Sequence, residues 1–234
     1  MDFSFKQFSL NHSYSALKIG TDAVLLGAWT EISLQAKNIL DIGCGCGIIA
    51  MMLAQKSDCQ VFGIDIHQPS IAEAKENAQQ SKFVNRLHFQ HISIQDFATT
   101  TTEKFDLIVS NPPFFDKALR SPVVNRNLSK HTQTLSFEEL VHAVCQLLAK
   151  NGRFSLILPF SEANSFEQMC VQKGLFCQKC CIVYPKPNKN PTRAMLLFSF
   201  ENKEKHIENL TIRDVSNAYM LAYKNLTKDF YLNF

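Results

Sequence analysis

The sequence predicts an α/β fold, a mostly parallel sheet with helices on both faces, and three stretches predict it. Asn38-Ile39-Leu40-Asp41-Ile42 is an apolar run carrying one acid; glycines follow at 43, 45 and 47, and then an apolar helical pattern at Ile48, Met51 and Met52. That order reads as strand, tight turn, helix. Val61–Asp65 is a second apolar run ending in an acid, and Phe105–Ser110 is a further strand that delivers Asn111-Pro112-Pro113-Phe114. In a doubly wound sheet, ligands bind beyond the carboxyl ends of strands that diverge at the switch point. The glycine turn and the Asn-Pro-Pro-Phe turn should therefore face one crevice.

Taken in order, residues 3–10 place Phe3, Phe5, Phe8 and Leu10 among polar neighbours and read as an edge strand or hairpin arm. Thr21 is a suitable N-cap and Asp22 a favourable first-turn acid, so a helix is expected over 22–33. Its amide end suits an anion such as a carboxylate. A strand at 38–42 and a helix at 47–56 form the first βα unit. After the strand at 61–65, Pro69 opens a helix that runs to Gln80. Leu87–His91 is a third strand, and it leads to Asp96 and Phe97.

The fourth strand, 105–110, is followed by a long loop at 115–134 carrying Lys117, Arg120, Arg126, Lys130 and His131 against a single acid, Asp116. A loop that long in a compact domain is usually functional or disordered. Ser136 and Glu139 have the spacing of a capping box for a helix to Ala149. A fifth strand at 154–158, a helix at 162–173 and strands at 175–184 and 194–200 complete a seven-stranded plan. Pro185–Arg193 joins the last two strands as a stiff basic hairpin tip with Lys186, Lys189 and Arg193. A helix at 211–225 and an apolar tail ending in Phe230, Tyr231 and Phe234 should dock on the domain. The expected organisation is one domain over 1–234, with 1–36 as an extension or lid and 37–234 as a Rossmann-like core.

At 234 residues, 46% hydrophobic and 19% charged, the chain has the composition of a soluble α/β domain. A net charge of +3 permits a nucleic-acid partner without requiring one, so the placement of the charges carries more weight. The eight cysteines read as reduced thiols. Cys177-Gln178-Lys179-Cys180 has the spacing of a metal or redox pair, but no second pair stands at finger spacing and the segment reads as a strand. No metal is expected. With no membrane-length apolar run and no signal-like opening, the expected protein is cytoplasmic, off the membrane and monomeric.

The glycine turn excludes two common ligand loops. Ile48 stands where a dinucleotide fingerprint needs its third glycine, and no Lys-Ser/Thr pair follows to make a phosphate-cradling loop. Asp41 ahead of alternating Gly43, Gly45 and Gly47, with Cys44 between them, resembles motif I of class I S-adenosylmethionine-dependent methyltransferases. That resemblance implies that S-adenosyl-L-methionine is the cofactor and S-adenosyl-L-homocysteine the product. Asp65, followed by Ile66, then stands where an acid accepts from both ribose hydroxyls. Asp96 would bond the adenine amino group, with Phe97 against the ring.

The Asn-Pro-Pro-Phe turn suggests the chemistry. An exocyclic amine conjugated to a ring is a poor nucleophile because its lone pair is delocalised. Two acceptors placed on its two N–H groups, the Asn111 side-chain carbonyl and the Pro112 backbone carbonyl, would localise that pair toward a methyl donor. Pro112 and Pro113 fix the backbone, and Phe114 would stack on a planar substrate.

Asn-Pro-Pro-Phe/Tyr marks amino methyltransferases acting on adenine N6, cytosine N4, guanine N2 or a glutamine side-chain amide. Lys18–Trp29, Lys130-His131-Thr132, Pro185-Lys186-Pro187 with Arg193, and Lys228-Asp229-Phe230-Tyr231 together resemble a narrower family. These are the bacterial methyltransferases that modify N6 of adenosine 37, just 3′ of the anticodon, in a valine tRNA. The match runs nearly the whole length, with Lys130 where an arginine would be expected. It implies that Thr21 and Asp22 close the site over the methionine end of the cofactor. It also implies that Lys117, Arg120, Arg126, Lys130 and His131 meet the anticodon region of the tRNA. The alternatives are an rRNA guanine-N2 enzyme, a protein-glutamine N5 enzyme and a catalytically inactive cofactor-binding scaffold.

Overall fold

The computed structural model describes residues 2–15, 18–112 and 135–234. Its framework comes from the apolar runs, because a strand in the middle of a parallel sheet is covered on both faces and must be apolar almost throughout. The chain opens with a small antiparallel hairpin, β1 (Asp2–Ser4) and β2 (Ser9–Asn11). Then follow α1 (Thr21–Trp29), β3 (Asn38–Ile42), α2 (Ile48–Lys56), β4 (Gln60–Asp65), α3 (Gln68–Gln79), β5 (Leu87–His91), α4 (Ile94–Thr100) and β6 (Phe105–Ser110). Beyond the segment at 113–134, α5 (Phe137–Leu147) precedes β7 (Leu148–Pro159), α6 (Phe160–Gln172), β8 (Phe176–Tyr184), β9 (Arg193–Ser199), β10 (His206–Thr211) and α7 (Leu221–Thr227).

The main sheet has the order β10-β8-β9-β7-β6-β3-β4-β5, and only β9 runs antiparallel. Seven of these strands are the expected ones; β10 makes an eighth. It adds in parallel to β8, where Ile207 pairs with Cys180 and Leu210 with Val183. One face is covered by α1, α2, α3 and α7, and its core includes Leu25, Leu26, Met51, Met52, Ile71 and Tyr223. The other lies under α4, α5 and α6, around Phe105, Leu140, Val144, Phe154, Phe166 and Phe198.

Several boundaries differ from expectation. Thr21 is the first residue of α1 and not its cap; extended Gly20 holds the cap position without a side-chain bond. The capping box on α5 is present, with Ser136 and Glu139 bonding each other's backbone. That helix stops at Leu147, however, because Leu148 begins β7 and pairs with Phe105. The expected helix at 211–225 is divided. Thr211 ends β10, Asp214 and Asn217 close a turn, and the helix starts only at Leu221. The tail docks as expected, with Phe230 buried and Tyr231 and Phe234 against the core. At the far end of α1, Lys56 donates to the carbonyls of Gly27, Ala28 and Thr30 and so satisfies the helix terminus. All eight cysteines are free, and Cys177, Cys180 and Cys181 are buried along β8.

Candidate active site at the carboxyl edge of the sheet

The parallel register brings the two expected motifs together. Ile42, at the end of β3, pairs with Ser110, at the end of β6, and the Ser110 hydroxyl donates to the Ile42 carbonyl at 3.0 Å. The next residues on the two strands are Gly43 and Asn111, so the glycine turn and the Asn-Pro turn leave the sheet side by side. Asn111 is half-buried and Pro112 buried. Pro113, Phe114, Lys117, Arg120, Arg126, Lys130 and His131 lie outside the described residues.

The glycine turn is fixed against β4. The amides of Gly43 and Cys44 both donate to the Ile64 carbonyl, and the Gly47 amide donates to Cys44. Gly43, Gly45 and Gly47 all have φ between +54° and +86°, where a side chain would be strained. Among the described residues, a Cβ at Gly43 or Gly45 would meet no atom within 4 Å, whereas one at Gly47 would meet the Phe89 ring at 2.9 Å.

Two acids flank the turn. The Asp65 carboxylate accepts from the Gly45 amide at 2.9 Å and, through its other oxygen, from the His67 amide at 2.8 Å. The cap of α3 is the His67 side chain, which leaves Asp65 facing the turn. Ile66 beside it is an exposed apolar side chain. Asp41 is fully buried: Oδ2 accepts from the Ala50 amide at 3.1 Å, and Oδ1 is buried with no partner among the described residues. Burial, reinforced by the Asp65 charge, pushes its carboxyl up to about 7 against the opposing pull of the Ala50 amide.

The remaining expected residues divide. Asp96 lies exposed in the first turn of α4, bonded to its Ser93 cap, while Phe97 is buried inward beside Phe105, with ring centroids 6.1 Å apart. Asp22 reaches from α1 to Arg193, whose Nε donates to Oδ2 at 2.8 Å. Lys186 and Lys189 lie on the connection between β8 and β9, with Lys189 exposed.

A methyltransferase domain model matches residues 33–211. A tRNA1(Val) (adenine(37)-N6)-methyltransferase from Histophilus somni is 41% identical, over all of this chain and 98% of that protein. One of the same name from Phocaeicola vulgatus is 39% identical, over 99% of this chain and 97% of that one. The chain belongs to the tRNA1(Val) (adenine(37)-N6)-methyltransferase family.

Among solved structures, this family member resembles in fold a predicted O-methyltransferase from Agrobacterium tumefaciens, with a TM-score of 0.70 at 17% identity, covering 89% of this chain and 96% of that one. It also resembles a Thermus thermophilus 16S rRNA N2 G1207 methyltransferase solved with AdoMet and guanosine, with a TM-score of 0.58 at 20% identity, over 86% of this chain and 50% of that one.

The structure of this methyltransferase adds residues that the sequence did not single out. The Asn77 side chain on α3 accepts from the Asn11 amide and donates to the carbonyls of Asn11 and Cys46. It thereby ties the N-terminal hairpin to the glycine turn. One turn away, buried Glu73 accepts from the amides of Tyr14 and Ser15 and from the Ser15 hydroxyl. Lys18 closes the same segment by donating to the carbonyls of His12 and Ser13. The one cue in the sequence is a polar pair, Glu73 and Asn77, at helical i,i+4 spacing beside apolar Ile71, Ala74 and Ala78. Among the described residues no cluster of His, Cys, Asp and Glu could hold a metal ion, and no helix is long and apolar enough to cross a membrane.

Proposed function

We propose that this protein methylates N6 of adenosine 37 in the anticodon loop of a valine tRNA, in the cytoplasm, using S-adenosyl-L-methionine. The reading is supported by the Ile42–Ser110 register, from which the glycine turn and Asn111-Pro112 leave the sheet side by side, in a chain whose full-length relatives bear that activity in their names.

The residues present fit the cofactor. Among the described residues nothing crowds Gly43 or Gly45, which leaves room for a ligand against the backbone, and Asp65 retains lone pairs for two ribose hydroxyls. Exposed Ile66 offers an apolar cover for a purine. The buried Oδ1 of Asp41, without a partner among the described residues, is a polar atom that a bound polar group or water would satisfy. Thr21 and Asp22 would close over the methionine end. Asp96 would reach the adenine amino group; Phe97, buried beside Phe105, would support that wall from behind. When bound, the sulfonium supplies an electrophilic methyl group.

The protein's part is alignment and polarity. Asn111 Oδ1 and the Pro112 carbonyl would accept the two N6 hydrogens and turn the nitrogen lone pair out of conjugation. Pro112 has no amide hydrogen to compete for those acceptors, and Pro113 and Phe114 would stiffen the turn and stack on the base. N6 would take the methyl group as the C–S bond breaks, its electron pair staying on sulfur to give S-adenosyl-L-homocysteine, and would then release one proton to water. Lys117, Arg120, Arg126, Lys130 and His131, with Lys186, Lys189 and Arg193, would hold the RNA backbone. An adenosine in a loop is partly unstacked, so presenting it costs less than extruding a paired base.

The experiment is transfer of label from S-adenosylmethionine into total tRNA and, separately, rRNA from a strain lacking the gene, followed by digestion to nucleosides. N6-methyladenosine in tRNA is the expected product. Label confined to rRNA guanosine would overturn the tRNA reading in favour of a guanine-N2 enzyme. No label in either RNA, with cofactor still bound, would point to a protein substrate or a scaffold.

A further inference from the structure

At the same edge of the sheet, beside α1, lies a cavity of about 380 Å³ lined by Asp22, Val183, Arg193, Arg213, Tyr219 and Tyr223, among others. We propose that it is a nucleotide-binding subsite, taking one phosphate-bearing nucleotide of the substrate RNA on the β8–β10 side of the target adenosine. The proposal rests on the RNA-substrate reading above and adds residues to it.

Topology places the cavity. β8 and β10 run parallel to β6 and β3, so Val183, near the end of β8, and Arg213, just past the end of β10, lie on the edge that carries Gly43 and Asn111. β9 runs the other way, so Arg193, its first residue, lies there too. Asp22 joins this wall to the start of α1. The volume lies within the range of small-ligand sites, roughly 300–1,000 Å³.

The lining chemistry suits a nucleotide. The Arg213 guanidinium lies 3.8 Å over the centre of the Tyr219 ring, which stacks in turn on Tyr223 with centroids 5.0 Å apart and planes 13° apart. This makes a three-layer stack whose outermost layer is a flat cation, a surface on which bases stack and to which phosphates bond in a fork. Arg213 donates to the Asn217 carbonyl at 2.7 Å, and no carboxylate lies within ion-pair distance of it among the described residues. The turn that presents it is closed by Asp214, which accepts from the Ala218 amide and the Ser216 hydroxyl, with Asn217 at φ +76°. Leu25, Val183 and Ile212 supply an apolar floor. Lys186 and Lys189, on the neighbouring hairpin connection, continue a basic path outward.

The test compares Arg213→Gln, Arg213→Lys and Tyr219→Ala with the wild type, using a valine tRNA transcript and labelled S-adenosylmethionine, with cofactor affinity and Tm measured alongside. Arg213→Gln and Tyr219→Ala should raise KM for tRNA about tenfold and leave kcat and cofactor affinity unchanged, and Arg213→Gln should keep Tm. Arg213→Gln should also cut the slope of log kcat/KM against log salt by about one, whereas Arg213→Lys should keep the slope but not the full affinity. If Arg213→Gln does not fold, the other two variants carry the comparison. Unchanged KM beside an active wild type overturns the subsite alone, as does a KM effect that tracks lost Tm. A wild-type protein that methylates no tRNA overturns the substrate reading and the subsite with it.

Discussion

Arg193 Nε lies 2.8 Å from Oδ2 of Asp22, joining the first residue of β9 to the first turn of α1 across 171 positions of sequence. Each side chain keeps about a third or a quarter of its surface exposed, so the pair is worth less than its geometry suggests. We propose that it connects two sites, with Asp22 serving the methionine end of the cofactor and Arg193 the RNA. Arg193→Ala and Asp22→Ala should each raise KM for both tRNA and cofactor. The double variant should fall short of the sum by about 0.5–1 kcal/mol in a cycle of kcat/KM values. Strict additivity would mean that the two sites are not coupled through this pair.

Asp65 both fixes the turn and faces the cofactor's proposed place. Asp65→Ala should weaken S-adenosylmethionine binding by roughly 10²-fold, because it removes charge-assisted acceptors for the ribose and unpins Gly45. Calorimetry with the cofactor alone measures this, and unchanged affinity would refute the ribose role.

Asn111 should behave in the opposite way. Removing one of two acceptors that act on the reacting amine should lower kcat by about 10²–10³-fold in Asn111→Ala, with cofactor affinity almost intact. Single-turnover transfer at saturating cofactor checks it, and a rate equal to wild type would remove the assignment.

What could be read from the sequence follows from which forces are local. β3 and β6 begin and end where expected because their apolar runs are bounded by turn residues, and β5 does so through the alternation of buried Leu87 and Phe89 with polar neighbours. β10 was not legible because only Leu210 along it is buried, so its pattern gives no clear alternation; it exists by pairing with β8. The helix expected at 211–225 reads well by composition, but the Asp214–Asn217 turn interrupts it. In the candidate site, motif spacing was enough to predict that Gly43, Asp65 and Asn111 lie together at one edge of the sheet. The tie from Asn77 to Asn11 and that from Glu73 to Ser15 span 66 and 58 residues, and the polar i,i+4 pair on α3 does not announce which residues it reaches.

That second tie makes a stability prediction. Burial raises the Glu73 carboxyl, but the Ser15 hydroxyl and the amides of Tyr14, Ser15 and Ser13 outweigh it and hold the pKa below the usual range. A depressed carboxylate pKa stabilises the folded state above the ordinary glutamate range, and that contribution is lost as pH falls through the folded value. Glu73→Gln should therefore lower Tm by about 4–8 °C at neutral pH, corresponding to about 2 kcal/mol, and the gap to wild type should close in acid. Limited proteolysis should cut the variant faster near residues 12–20.

Asp41 should show the reverse dependence. Its carboxyl is raised to about 7 by burial, so between the ordinary aspartate range and pH 7 the folded protein binds more protons than the unfolded chain. Stability from this group is then fully present at low pH and is lost as pH rises through 7. Asp41→Asn keeps an acceptor for the Ala50 amide and cannot ionise, so it should gain Tm relative to the wild-type apoprotein as pH is raised from 5 to 8. If a bound cofactor satisfies the lone Oδ1, saturating S-adenosylmethionine should erase that gain by stabilising the wild type alone. A Tm difference that stays constant with pH would show that Asp41 is already ionised in the folded apoprotein at pH 5, its buried charge answered by a group other than the Ala50 amide.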